Sequence, residues 1–398
     1  MLSRAAQRVQ DRDAVPAPAG RGASPSLVRG STRRGDPHCR EQSREMELTS
    51  LGIALGDKAI AGELMSRHTT FAIGGPADLF VVAHTLARLC TFVRLAHEHS
   101  VPYFVLGSGA NLLVADKGIR GLVIQNQCAA LTIAPDPDAQ TGPGEAGHEV
   151  SPSLGRGSTW LVQAESGALM QAVARQTMAQ NLAGLEWAVD VPGTVGGAVV
   201  GNAGAFGGYV GDNLRRALVF SPTEGKACLA PAEAGREVSP SLGREGTRIS
   251  WAARWWSKDE LKLGYRTSIL KENKKRAGFP PVILEGVFAL HKEDLGSLKE
   301  RAQQYTRRRV ETQPVGPSAG SVFKRTSQYP AGFLIENAGL KGTRVGGAVI
   351  SPQHANFIVN LGGATAQDVQ DLIALVREKV HAQFKVMLEL EIELVGEW

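Results

Sequence analysis

The chain has 398 residues, is 43% hydrophobic and carries a net charge of +5, which is enough chain for two or three domains with a substantial core. No apolar run approaches the roughly 18 residues a membrane span needs, so membrane insertion is not expected. Nine arginines against five acids in the first 45 residues supply most of the positive charge, so the folded body has no basic nucleic-acid face to offer.

Residues 1–45 contain no apolar stretch of the kind a signal peptide needs. Their composition reads as a disordered extension, with Met46 as an alternative start and a transit peptide as a second alternative. The four cysteines, Cys39, Cys90, Cys128 and Cys228, form no metal-ligand spacing. They suit a reducing cytoplasm, and no metal site is expected.

Three ordered blocks come next. In the first, 46–125, Asp78–Ala83 reads as a strand, Thr85 as a helix cap, and Leu86, Leu89, Cys90 and Val93 as a helical apolar face. Pro102 to Leu106 gives a second strand, which runs into Gly107-Ser108-Gly109-Ala110-Asn111. That turn resembles the opening of a dinucleotide fingerprint, but the third glycine is missing and residues 112–124 read as strand and turn, so a standard Rossmann site is not expected.

The second block, 126–292, has a helix around 167–180 and then GLEWAVDVPGTVGGAVVGNAGAFGG at 184–208, with seven glycines between Gly193 and Gly208. Glycine at that density suits backbone that turns sharply or approaches a ligand closely. The stretch contains no Lys or Arg, so any phosphate there must be held by backbone N–H groups. A tight turn packed between sheets is the alternative.

In the third block, 293–386, Thr365 with Asp368 makes a capping box. The helix it opens has a core face of Val369, Leu372, Ile373, Val376 and Val380. Residues 386–395 alternate and are expected to return as a strand, so 387–398 reads as a C-terminal strand. Alternation puts Glu389, Glu391 and Glu393 on one face and does not choose among them.

Three segments echo one another: SPSLVRGST at 24–32, SPSLGRGST at 151–159 and SPSLGREGT at 239–247. They are too short and too irregularly spaced for a structural repeat. They read as inserted surface loops near 134–158 and 231–248, with a docking motif as the alternative.

Together the motifs resemble the UDP-N-acetylenolpyruvoylglucosamine reductase family, in its short-loop subclass. The matching pieces are TTFAIGGPADLFV (69–81), VLGSGANLLVADKGIRGLVI (105–124), the 184–208 stretch, GYRTSILK (264–271), PSAGSVFK (317–324), ENAGLKGTRVGGAVISPQHANFIVN (336–360) and LELEIELVG (388–396). They stand in the family's order. The resemblance implies an α+β fold: a two-part FAD-binding unit of the vanillyl-alcohol-oxidase (PCMH) type in 46–125 and 126–292, plus an α/β substrate-binding domain in 293–386. It also implies a cytoplasmic, monomeric oxidoreductase of peptidoglycan precursor synthesis. In that reaction NADPH reduces FAD, and the flavin passes hydride to C3 of UDP-N-acetylglucosamine enolpyruvate, giving UDP-N-acetylmuramate.

Hydride addition beside a carboxylate leaves an enolate, which needs donors at its oxygens and then a proton at C2. The resemblance assigns the proton to Ser321, carboxylate recognition to Arg266, and a supporting acid to Glu391. Flavin contacts are implied at Gly74, Gly75, Gly107, Ser108, Gly109, Asn111, Leu112, Gly193, Gly196, Gly197, Asn202 and Gly204. Substrate contacts are implied at Tyr265, Lys324, Lys341, His354 and Asn356. The chain departs from the family's pattern at Ala72, at Arg325-Thr326 and at Val200-Gly201. Alternatives are an oxidase on the same flavin fold, which has no need for Ser321, Arg266 and Glu391 together, and a flavin-binding regulator without activity.

Overall fold

A computed structural model describes residues 37–140, 159–224, 241–242, 248–274 and 279–398. The segment before 37 and most of the three SPSL repeats lie outside the described residues. The chain divides into Met1–Gln42 and Ser43–Trp398. Helix α1, Pro37–Leu55, begins earlier than the extension assigned to 1–45 allows. Leu48, Leu51 and Leu55 recur at helical spacing, and Leu51 and Leu55 are buried in the first core.

The first lobe is a small mixed sheet. Strands β1 (Ile60–Ala61), β2 (Ala77–Ala83), β3 (Tyr103–Leu106) and β5 (Ile119–Asn126) are ordered β1-β2-β5-β3. Helix α2 (Leu86–Glu98) crosses over between β2 and β3, capped at Thr85 by a bond from the Arg88 N–H. The short strand β4 (Leu112–Val114) leaves this sheet directly after the 107–111 turn.

The second lobe is an antiparallel sheet of long strands. Its members are β6 (Leu131–Pro135), β7 (Thr159–Glu165), β11 (Leu214–Glu224), β12 (Ser241–Leu242), β13 (Arg248–Ser257) and β14 (Val282–Lys292), in the order β12-β13-β11-β14-β7-β6; β8 (Leu182–Ala183) adds to β14. Period-two alternation gives this sheet two apolar faces. Val162, Ala217, Val219 and Ile283 pack with helices α3 (Met170–Ala179) and α4 (Val195–Val200). Leu218, Phe220, Val282 and Leu284 join Leu89, Phe92, Leu122 and Ile124 of the first lobe in one core. The Gly-rich segment thus contains α4, a two-strand ribbon β9 (Gly204–Ala205) and β10 (Gly208–Tyr209), and the single turn α5 (Val210–Asn213). After β13 come the short helices α6 (Lys258–Leu261) and α7 (Ile269–Lys274).

Helix α8, Leu295–Thr312, opens the third block in sequence but packs on the second lobe, burying Leu298 and Ala302 against Met178, Ala183 and Val189. Its Arg301 bridges Glu293 at 2.5 Å and the buried Glu186 near the start of the 184–208 stretch. The rest of the block is α9 (Ala331–Asn337), the small antiparallel sheet β15 (Arg344–Val345), β16 (Ala348–Ile350) and β17 (Ile358–Asn360), and α10 (Ala366–Phe384). Thr365 and Asp368 form the expected capping box, and the five expected apolar residues of α10 are buried. Asp116 of the first lobe accepts from the N–H groups of Ala366 and Gln367, so a carboxylate of one lobe caps a helix of another.

The expected strand over 386–395 is cut short. Only β18, Glu393–Val395, is a strand, and it pairs in parallel with β4 of the first lobe. Upstream, Leu390 makes an isolated bridge to Phe323 and the Glu391 N–H donates to the Val322 carbonyl at 2.8 Å. The segment therefore changes partners between Leu390 and Glu393, and alternation along one strand no longer holds. Among the described residues no helix is long and apolar enough to cross a membrane. Nor is any group of three or more His, Cys, Asp or Glu placed to hold a metal ion.

Candidate active site

Arg266 lies in a turn that Gly264 and Thr267 close with reciprocal backbone bonds of 3.0 and 3.3 Å. Its φ is +56°, in the left-handed region that costs a residue with a Cβ roughly 1–2 kcal/mol. Several contacts hold it there. Asn202, buried and itself at φ +42°, donates to the Gly264 carbonyl at 2.9 Å and accepts from the Gly211 N–H at 2.9 Å. The Ser268 hydroxyl donates to the Val200 carbonyl at 2.6 Å. The Arg266 guanidinium donates to the Gly204 carbonyl at 2.9 Å and pairs with Glu391 at 2.7 Å. Asn202 and Gly204, expected as flavin contacts, thus also build the seat of Arg266.

The Glu391 side chain is 13% exposed. Burial pushes its carboxyl above the usual carboxylate range, and Arg266, Lys271 and Lys324 partly oppose that shift. Glu389, two residues before, is 75% exposed and pairs with Lys324 at 3.1 Å. Glu393 sits in β18. The change of partners along 390–393 therefore sends the three similar carboxylates to different environments, and it is Glu391 that meets Arg266.

Ser321 directly precedes the residue to which the Glu391 backbone is bonded. It bridges Phe357 through its backbone, and the next residue, Val322, carries the carbonyl that accepts from Glu391. Gly320, at φ +83°, turns the chain into this position. Asn356 fixes the segment from below, accepting from the Phe323 N–H at 3.0 Å and donating to the Phe323 carbonyl at 2.8 Å. Its amide thereby clamps the Ser321 loop. Sequence pattern had no means of finding this, because the two partners are 33 residues apart.

The other expected substrate residues have partners of their own, Lys324 in Glu389. Tyr265 is 43% exposed, and its hydroxyl accepts from the Arg325 N–H at 3.4 Å. Lys341 pairs with Glu336 at 2.7 Å. Burial holds the His354 imidazole below its usual range. Lys271, which the sequence pattern did not single out, donates to the Arg266 carbonyl at 3.2 Å.

The glycines expected at the flavin divide into two groups. Most are required by close approach of the protein to itself: a Cβ at Gly75 would lie 2.0 Å from the Asp116 carbonyl, at Gly107 2.4 Å from the Thr194 hydroxyl, and at Gly204 2.3 Å from the Tyr209 ring. Gly74 faces Val114 at 2.9 Å and Gly196 faces Ser166 at 3.0 Å. At Gly109 both constraints meet, with φ +69° and the His68 carbonyl 1.9 Å from an added Cβ. Gly193 and Gly197 differ. A Cβ at Gly193 meets nothing within 4 Å, although its φ of +129° itself calls for glycine, and at Gly197 a Cβ meets only the Thr194 hydroxyl at 3.7 Å.

Beside them the Ser108 hydroxyl is buried with no hydrogen-bond partner among the described residues. An orphaned donor and open glycine backbone fit an anionic, extended group such as the diphosphate of FAD. Asn111 at φ +62° and Leu112 complete the turn, and the Asn111 amide donates to the Glu391 carbonyl at 3.1 Å. The candidate flavin loop is thereby bonded directly to the backbone of the candidate acid.

This division predicts opposite behaviour for two alanine variants. Gly109→Ala is expected to lose the fold of the loop, because the clash is with backbone. Gly197→Ala, inside α4, is expected to melt as the parent does without FAD yet bind FAD about tenfold more weakly, the effect of crowding a close contact by one methyl. Unchanged FAD affinity in titrations of Gly197→Ala would show that this backbone does not face the flavin.

Comparison with known proteins gives the family. Residues 311–395 match the family model of the UDP-N-acetylenolpyruvoylglucosamine reductase C-terminal domain, and residues 77–228 match an FAD binding domain. A UDP-N-acetylenolpyruvoylglucosamine reductase of Alkaliphilus oremlandii is 38% identical over 342 residues, 86% of this chain and 94% of that protein. One of Clostridium novyi is 37% identical over 335 residues, 84% of this chain and 91% of that protein. The crystal structure of UDP-N-acetylenolpyruvylglucosamine reductase from Thermus caldophilus aligns with a TM-score of 0.59 at 29% identity, covering 85% of this chain and 98% of that one. The chain belongs to the UDP-N-acetylenolpyruvoylglucosamine reductase family of FAD-binding oxidoreductases.

Proposed function

We propose that this protein reduces UDP-N-acetylglucosamine enolpyruvate to UDP-N-acetylmuramate in peptidoglycan precursor synthesis, working as a cytoplasmic monomer. When bound, FAD would supply hydride chemistry at C3 of the enolpyruvyl group, with NADPH as the source of reducing equivalents. The residues of the chain then have two tasks. Arg266 holds the substrate carboxylate and stabilises the negative charge that grows on it. Ser321 delivers a proton to C2, with Glu391 supporting that transfer as a carboxylic acid whose burial favours the protonated form. The backbone of Gly193 and Gly197, together with Ser108, would hold the cofactor.

The observation that carries this reading is the Arg266–Glu391 pair at 2.7 Å, with Ser321 one residue from the carbonyl that binds Glu391. An oxidase on the same flavin fold has no use for that set. The test is an anaerobic visible spectrum of the FAD-loaded protein, first with NADPH and then with the enolpyruvyl substrate. Yellow colour bleached by NADPH and restored by the substrate is the expected result. Flavin restored by oxygen alone would replace this reading with the oxidase.

A further inference from the structure

We infer that Lys271 is a positioning residue of the reaction, holding Arg266 in its left-handed turn and supplying a second positive charge beside Glu391. The inference rests on the roles proposed above for Arg266 and Glu391. Lys271 lies in α7, one helical turn beyond the Arg266 turn, and its Nζ donates to the Arg266 carbonyl at 3.2 Å. An arginine at φ +56° has its carbonyl turned out of the usual backbone direction, and Lys271 is the side chain that meets it. The start of α7 is itself anchored, because Ser268 bonds Val200 and accepts from the Lys271 N–H at 3.3 Å. The ammonium group is therefore carried on a fixed base.

The charges facing Glu391 come from three elements. Arg266 reaches it from the turn before α7, Lys271 from α7, and Lys324 from the chain after the Phe323 bridge. Lys324 is already paired with the exposed Glu389. Lys271 reinforces Arg266 from its own side of the site. The two cations oppose the burial that raises the Glu391 carboxyl, so removing either one raises it further. If Glu391 works as the acid, activity falls as pH rises through its raised pKa. Losing Lys271 moves that fall to higher pH.

The experiment compares the FAD-loaded parent, Lys271→Met and Lys271→Arg by pH–rate profile, by NADPH bleaching of the flavin, and by melting temperature. Lys271→Met is expected to bleach normally, to turn over about tenfold more slowly, and to shift its alkaline limb upward by about one pH unit. Lys271→Arg, which keeps the charge and a donor, is expected to restore the parent's limb. A Lys271→Met profile with the parent's limb would overturn the inference while leaving the function intact. So would a slow Lys271→Arg whose limb matches that of Lys271→Met, since charge would then not be the cause. A parent that bleaches but cannot reduce the enolpyruvyl substrate would overturn the proposed function, and this inference with it. Should Lys271→Met melt too low to assay, the Lys271→Arg and Lys271→Gln profiles carry the same comparison.

Discussion

Ser321→Ala is expected to give a yellow protein that NADPH bleaches at the parent's rate, while turnover of the enolpyruvyl substrate falls by about 10²- to 10⁴-fold, the usual contribution of a positioned proton donor. The separation comes from the architecture. Ser321 lies on the loop before Val322, which is built from the third block and clamped by Asn356, whereas Ser108, Gly193 and Gly197 lie in the two flavin lobes. The backbone bridge from Ser321 to Phe357 does not depend on the hydroxyl, so the loop and the seat of Glu391 persist in the variant. Stopped-flow bleaching and then steady-state turnover measure the two halves separately. Turnover near the parent's rate would remove Ser321 from the proton transfer. Loss of bleaching in a folded protein would place it instead at the flavin.

Arg266→Lys is expected to lower kcat/KM by about 10²- to 10³-fold, as loss of a preorganised donor does in other sites. Arginine reaches the Gly204 carbonyl with one nitrogen and Glu391 with another. A lysine ammonium is a single point on a flexible stem and cannot span both while also facing a substrate carboxylate. The variant also has a pH signature. The folded pKa of Glu391 is raised, chiefly by desolvation. The folded state therefore holds that proton more tightly than the unfolded chain does. The stability this contributes is fully present below the ordinary carboxylate pKa and is lost as pH rises through the raised value. With the Arg266 contact weakened, the carboxylate is less compensated when it ionises, so the variant's melting temperature is expected to fall more steeply than the parent's as pH rises. Parallel melting curves across that range would show that the pair does not govern Glu391.

Both predictions depend on contacts that join distant parts of the chain, and such contacts are where sequence pattern stops being informative for this protein. Local features were legible because their causes are local. The Thr85 cap, the Thr365–Asp368 capping box and the buried face of α10 are set by neighbours within a few residues. The order of the motifs was enough to identify the family and, through it, to mark Ser321, Arg266 and Glu391. What local pattern could not supply was the choice among Glu389, Glu391 and Glu393. Alternation assumes one partner along a strand, and here the partner changes from Phe323 to β4 within four residues. Nor could composition separate glycines that avoid a clash, such as Gly75 and Gly109, from Gly193 and Gly197, which leave space. Nor could it show that the amides of Asn202 and Asn356 bond the backbone of Gly264 and Phe323. Residue order was sufficient for most of the elements, their succession and the chemical types at the site. Which of those side chains face one another was settled only in three dimensions, because burial and hydrogen-bond pairing between residues tens to hundreds of positions apart exist only once the lobes have packed.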